Sequence, residues 1–291
     1  MLGRLALVVT ALAPSLARAD GLDAATIDKQ LASCHASETG EDPLAAVGAI
    51  VRAEAIGKHP TSEALQVVGK KARAYVFFTG ERCAVIPVVG KPAAFAKGDL
   101  GGAKVAYVLR TPNCNQMECP TVLTLKSAAS TDDRALDALY VPRACPDGAE
   151  LERFAAFPGR DSLKLGCWGS AGVDPDRVDY LIDTDKGRLV VVAEVAAGVG
   201  WVQPPDEKHP RPCQARVPGG IALVARGDKP TIDVTIPATD DEARAAGVEL
   251  LSGGCDQTIA THREQYDPRT RVFVAIGKAK VTIARKLCKC R

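Results

Sequence analysis

The stretch Arg73-Ala74-Tyr75-Val76-Phe77-Phe78-Thr79 marks the point where this chain changes character. Aromatic and β-branched residues crowd together there, a composition that suits a pleated strand. Upstream of it the apolar residues fall at helical spacing. Downstream they come in short runs broken by turn residues. The expected class is therefore α+β: a helical N-terminal segment over residues 20–72, then a β-rich, disulfide-stabilised body.

Working back from Arg73, three helices are expected. Asp23 caps the first, which puts Ile27, Leu31 and Cys34 on one face. Asp42-Pro43 opens the second, with proline in the favoured first turn and Leu44, Val47, Ile50 and Val51 as its apolar stripe. His59-Pro60 ends it, and Thr61 or Ser62 caps a third that runs to about Lys71. Residues 1–19 carry a basic start, an apolar run from Leu5 to Leu16, and Ala17-Arg18-Ala19 before Asp20. That is the pattern of a secretory signal peptide cut before Asp20. Its apolar run is too short to span a bilayer, and no later stretch reads as a transmembrane helix.

Working forward, Cys83 to Val89 is a strand that Pro87 places at an edge. Ala103–Arg110 with Thr121–Leu125 forms one hairpin. Arg177–Ile182 with Arg188–Val195 forms another, turning at Asp183-Thr184-Asp185-Lys186-Gly187. Residues 203–218 are proline-rich and are taken as a linker between a β-rich unit at 73–202 and a second at 219–291. The two units share landmarks. Pro120-Thr121, Thr131-Asp132-Asp133 and Cys145 are matched about 110 residues later by Pro230-Thr231, Thr239-Asp240-Asp241 and Cys255. In each, the threonine is expected to cap a short helix and the aspartates to sit at its positive end. Two related β units are one outcome, and chance recurrence of strand-turn-helix signals is the other.

Composition narrows the function. Without residues 1–19 the chain has 272 residues, with 35 basic and 35 acidic side chains. Such a balance gives no field to attract nucleic acid. Aromatic residues make up 4%, too few for stacked carbohydrate platforms. All ten cysteines (Cys34, Cys83, Cys114, Cys119, Cys145, Cys167, Cys213, Cys255, Cys288 and Cys290) follow the signal, so in an oxidising compartment they are disulfide candidates.

Cys114 and Cys119 have metal-permitted spacing but no second ligand pair. Cys288-Lys289-Cys290 point the same way in a strand, which suits two separate bridges or a soft-metal clip. Asp183-x-Asp185-x-Gly187 matches the start of a calcium loop, without the third ligand or the distal glutamate. Trp168-Gly169-Ser170-Ala171-Gly172 misses the nucleophile elbow at its first glycine. Arg226-Gly227-Asp228 fits a turn as well as an adhesion tripeptide. His262, with Glu264 or Asp256, is the one histidine considered as a base, and no triad spacing supports it. From Pro268 to Arg291 there are eight basic residues and no acidic one, so Lys278, Lys280 and Lys286 form a candidate basic face.

No cofactor is implied. The expected function is an exported, disulfide-bonded, non-enzymatic binding or structural module, acting on an anionic envelope component or another protein. The alternatives are a metal-binding protein using Asp183 and Asp185 or the terminal cysteines, and a hydrolase whose site is assembled only in three dimensions.

Overall fold

The computed structural model of this chain describes residues 23–35, 42–60, 62–80, 82–88, 91–110, 121–127, 134–141, 145, 148–169, 177–198, 200–203, 213–216, 219–251 and 255–290. Its first layer is helix α1 (Ala24–His35), which lies on a four-stranded antiparallel sheet of β1 (Ile50–His59), β2 (Ser62–Gly69), β3 (Arg73–Thr79) and β4 (Arg82–Pro87). The second sheet is β5 (Ala94–Leu100), β6 (Ala103–Arg110), β7 (Thr121–Lys126) and β8 (Ala135–Val141). The third is β9 (Gly148–Phe154), β10 (Ser162–Trp168), β11 (Arg177–Asp183) and β12 (Val190–Gly198). Strands β13 (Gly200–Gln203) and β14 (Cys213–Arg216) pair across the proline-rich stretch. The fourth sheet holds β15 (Gly220–Ala225), β16 (Thr231–Pro237), helix α2 (Asp240–Ala246) after it, β17 (Gln257–Asp267), β18 (Val272–Ala275) and β19 (Lys280–Ala284). The last strand, β20 (Cys288–Cys290), returns to pair with β14.

The four sheets stack in series, and each junction is an apolar layer. Alternation along β3 shows how. Ala74 and Val76 face Ile27, Leu31 and Cys34 of α1, while Tyr75 and Phe77 face Leu109, Val122 and Ala138 of the second sheet. The other side of the second sheet presents Val108, Leu123 and Leu125 to Leu163, Leu165 and Ile182 of the third. The third sheet's far side places Leu181, Val192 and Val195 against Ile232, Val234 and Tyr266 of the fourth. Each fully buried Leu or Ile contributes about 1.5–3 kcal/mol of hydrophobic stabilisation, so these layers dominate the energetics. Two bridges add to them. Cys34–Cys83 ties α1 to β4, and Cys145–Cys167 ties the connection between the second and third sheets to β10. Cys255 is also disulfide-bonded, and no described cysteine is free.

The helical N-terminal segment, and with it the α+β class, is overturned: the described residues are β-rich with two short α-helices. Among the described residues between 20 and 72, only Ala24–His35 is α-helix. Asp42 opens a turn, its carboxylate accepting from the Leu44 N–H, and Leu44 and Val47 are buried within that turn. Residues 50–59 and 62–69 are strands paired with each other. Their helix-forming alanines and glutamates yield to sheet pairing, because tertiary burial outweighs propensities below 1 kcal/mol per residue. The helix expected after Thr131 is also replaced, since Ala135–Val141 is β8. Its counterpart after Thr239 forms. Thr239 and Glu242 make a reciprocal capping box and Gly247 closes the helix in the left-handed region. The two supposed repeats therefore diverge at this element. The expected hairpins at 103–125 and 177–195 are present, and Pro87 lies in the edge strand β4. The expected signal peptide and the Cys114–Cys119 loop lie outside the described residues.

Candidate functional site

A cleft of about 620 Å³ is lined by the first three sheets and by the β17–β18 turn of the fourth. Lys58 and His59 come from the end of β1, Leu139, Tyr140 and Val141 from β8, and Tyr180 and Ile182 from β11. Val191 and Glu194 come from β12, and Arg271 comes from the turn between β17 and β18. Its size and mixed lining match those of small-molecule sites. The inner walls are apolar and buried, as at Val141, Ile182 and Leu189, while Val191 at the mouth is 37% exposed.

His59 anchors one wall. Its ring is nearly buried, and Nε2 lies 3.1 Å from Asp137 Oδ1 and 2.9 Å from the Ala138 carbonyl oxygen. Both neighbours are acceptors, so Nε2 carries a proton and donates it. The buried Asp137 carboxylate also accepts from the Ala138 N–H at 2.9 Å and the Leu189 N–H at 2.7 Å. One carboxylate thus joins β1, β8 and the segment leading into β12. Gly57 is required beside it, since a Cβ there would run into the Asp137 carboxylate.

A second buried carboxylate follows Ile182 of the cleft in sequence and gathers arginines. Asp183 is fully buried and accepts two bonds from Arg160, Nε at 2.8 Å and Nη2 at 2.9 Å. The hydrogen bonds to Asp183 hold Arg160 above its usual pKa. Arg160 also stacks on Phe157, 4.9 Å from the ring centroid. Arg271 Nη2 lies 3.7 Å from Asp183 and 3.6 Å from Asp185, which clips the fourth sheet to the turn of the third. The structure therefore places the sequence-proposed metal ligands Asp183 and Asp185 among arginines. Among the described residues no cluster of three or more His, Cys, Asp or Glu side chains could hold a metal ion.

Backbone strain concentrates at the same cleft. Among the described residues three non-glycine residues have positive φ: Lys186 at 53°, Arg271 at 58° and Lys286 at 57°. Lys186 and Arg271 both line the cleft. A left-handed L-residue costs about 1–2 kcal/mol, and such strain gathers where function holds it.

The other candidates fall elsewhere. Lys278, Lys280 and Lys286 are exposed in and around β19. The Lys286 N–H donates to Asp256, whose other oxygen meets Arg285. His262 Nε2 lies 2.9 Å from Glu242 Oε1, a partner not expected from the sequence, with Glu264 near the same imidazole. Burial opposes ionisation of Glu242, but the Thr239 N–H and hydroxyl, with His262, hold it below its usual pKa. Burial raises Glu264. Gly227 of Arg226-Gly227-Asp228 donates its N–H to the Ala156 carbonyl, docking the turn onto the core. Cys290 lies opposite Cys213 in the β14–β20 pairing.

Sequence reasoning placed His59 at a helix stop and passed over Asp137, Tyr140, Tyr180 and Arg188. Asp137 is 78 residues from His59 and 52 from Leu189, so no local motif links them. Comparison with protein-family models, with curated proteins and with solved structures finds no match, and the cleft is read from its own chemistry alone.

Proposed function

We propose that this chain is an exported, non-enzymatic binding protein that holds a small molecule in the cleft between its sheets. The observation that carries the reading is the cleft itself: apolar walls, a polar mouth, and two strained cations lining it. Bonded cysteines agree with an oxidising compartment, and no described helix is long and apolar enough to cross a membrane. The buried His59–Asp137 pair favours hydrolysis as the competing reading. One fact weighs against it. Among the described residues no serine, threonine or cysteine lines the cleft as a nucleophile.

Native mass spectrometry of the protein purified from its own host tests the binding reading. The expected result is a retained small molecule that disappears in Val191→Arg, a change that fills the mouth. Identical spectra for both proteins, each with no adduct, would count against the cleft. An intact mass that begins at Asp20 and takes up no alkyl groups would establish export and full disulfide bonding.

A second reading rests on the exposure of Lys278, Lys280 and Lys286, which leaves a basic face open to an anionic envelope component or an acidic protein. Changing all three to Glu abolishes such binding while leaving folding intact. An unchanged affinity for the partner would remove these lysines from the site.

A further inference from the structure

The charges around the cleft mouth narrow its occupant. Four cations stand there, Lys58, Lys186, Arg188 and Arg271, against two carboxylates, Asp185 and Glu194. Two of the four are neutralised within the protein. Lys58 Nζ pairs with Glu63 at 2.9 Å, and Arg271 pairs with Asp183 and Asp185. Lys186 and Arg188 are exposed and hold no carboxylate among the described residues. Arg188 Nη2 donates to the neutral Lys58 carbonyl at 2.6 Å, which fixes the guanidinium without cancelling its charge.

Position adds to the charge. Lys186 sits at the tip of the Asp185–Gly187 turn in a left-handed conformation that asparagine or glycine would adopt at lower cost. Behind these two heads the cleft is lined by Leu139, Val141, Ile182 and Val191. A mouth with four cations to two carboxylates, over an apolar interior, is complementary to a molecule with an anionic head and an apolar tail.

Resting on the cleft reading, we propose that the occupant is an amphiphile with a terminal carboxylate. Its head meets Lys186 and Arg188, and its tail lies against Val141, Ile182 and Val191. The pairing is charge-assisted, and the guanidinium offers a carboxylate two parallel donors.

The test is calorimetric titration of the disulfide-intact protein with decanoate and with decyltrimethylammonium, two probes of similar chain and opposite charge. Decanoate is expected to bind one per chain and about tenfold or more tighter than the cation. Lys186→Glu with Arg188→Glu removes that preference or reverses it, and Val191→Arg weakens both probes. All three positions are exposed, and an unchanged unfolding midpoint in urea shows that each variant is folded. Equal affinity for the two probes, lost in Val191→Arg, would overturn the carboxylate preference and leave the cleft reading standing. Decanoate binding untouched by all three substitutions would place the fatty chain elsewhere and overturn the inference. No heat from either probe, with the fold intact, would overturn both the inference and the cleft as an amphiphile site.

Discussion

Two histidine–carboxylate pairs sit in this molecule at nearly the same separation, yet their surroundings differ. His59 and Asp137 lie 3.1 Å apart, with side chains 5% and 1% exposed, at a junction of three sheets. His262 and Glu242 lie 2.9 Å apart, both 23% exposed, between β17 and the first turn of α2. The buried carboxylate carries backbone N–H bonds that no water can replace, so removing it strands several donors at once. The outer pair is backed by a capping box and by solvent, and little depends on it. Distance alone says almost nothing about what an ion pair is worth; the surrounding burial decides.

The comparison breaks first, if it breaks, at Asp137→Ala. Loss of that carboxylate leaves the Leu189 N–H without an acceptor and His59 with the Ala138 carbonyl alone, and costs about 3 kcal/mol, read from urea unfolding with disulfides intact. A cost below about 1 kcal/mol would mean the junction relaxes and the buried pair resembles the outer one. Gly57→Ala attacks the same carboxylate sterically and costs about 2 kcal/mol. Its chemical signature is a shifted His59 resonance in NMR, and an unmoved resonance would show that β1 simply yields. At the outer site, Glu242→Ala removes the capping box and the His262 contact together and costs about 1 kcal/mol. His262→Ala removes the contact alone and costs about 0.5 kcal/mol. A larger loss for His262→Ala than for Glu242→Ala would reverse the assigned importance of cap and ion pair.

The smallest effect is a pH dependence with a defined sign. Glu242 and Glu264 lie near the same imidazole and shift in opposite directions from 4.5. Glu242 is depressed, so its contribution is present above 4.5 and lost as pH falls through its lower folded value. Burial raises Glu264, so its ionised form opposes folding above its folded value, and that cost is relieved as pH falls towards 4.5. Glu264→Gln is therefore expected to be slightly more stable than wild type at pH 7, with the gap closing below pH 4.5. Thermal melts across that range measure it, and a gap that widens in acid would invert the assignment.

The residues that could be read ahead share one property: their signals are local. The β3 stretch is aromatic and β-branched, Thr239 stands as a cap before two aspartates, and the 177–195 hairpin turns on aspartates and a glycine. Strand β2 failed for the opposite reason. Ala64, Leu65, Gln66 and Val67 are all buried, because one face of the first sheet packs under α1 and the other on the second sheet. A strand covered on both faces loses the period-two alternation that identifies it. Residues 50–59 failed because Ala53, Glu54 and Ala55 favour helix in isolation, and only pairing with 62–69 overrides them. His59 was mistaken for a helix end because Pro60 follows it, a correct inference about a chain break attached to the wrong element.

Sequence alone determined the β-rich character from Arg73 onward, the two hairpins and the capped helix α2, because each depends on residues within a turn or two of one another. It also supplied the cysteines, though not their partners, since bridging needs two Cα atoms within about 7 Å and spacing cannot report that. The tertiary structure decided the serial stacking of four sheets, the pairing of His59 with Asp137, and the gathering of Lys186, Arg188 and Arg271 at one opening. Those depend on which apolar face meets which. That choice is made by the total area buried across distant segments, and no short window of sequence contains it.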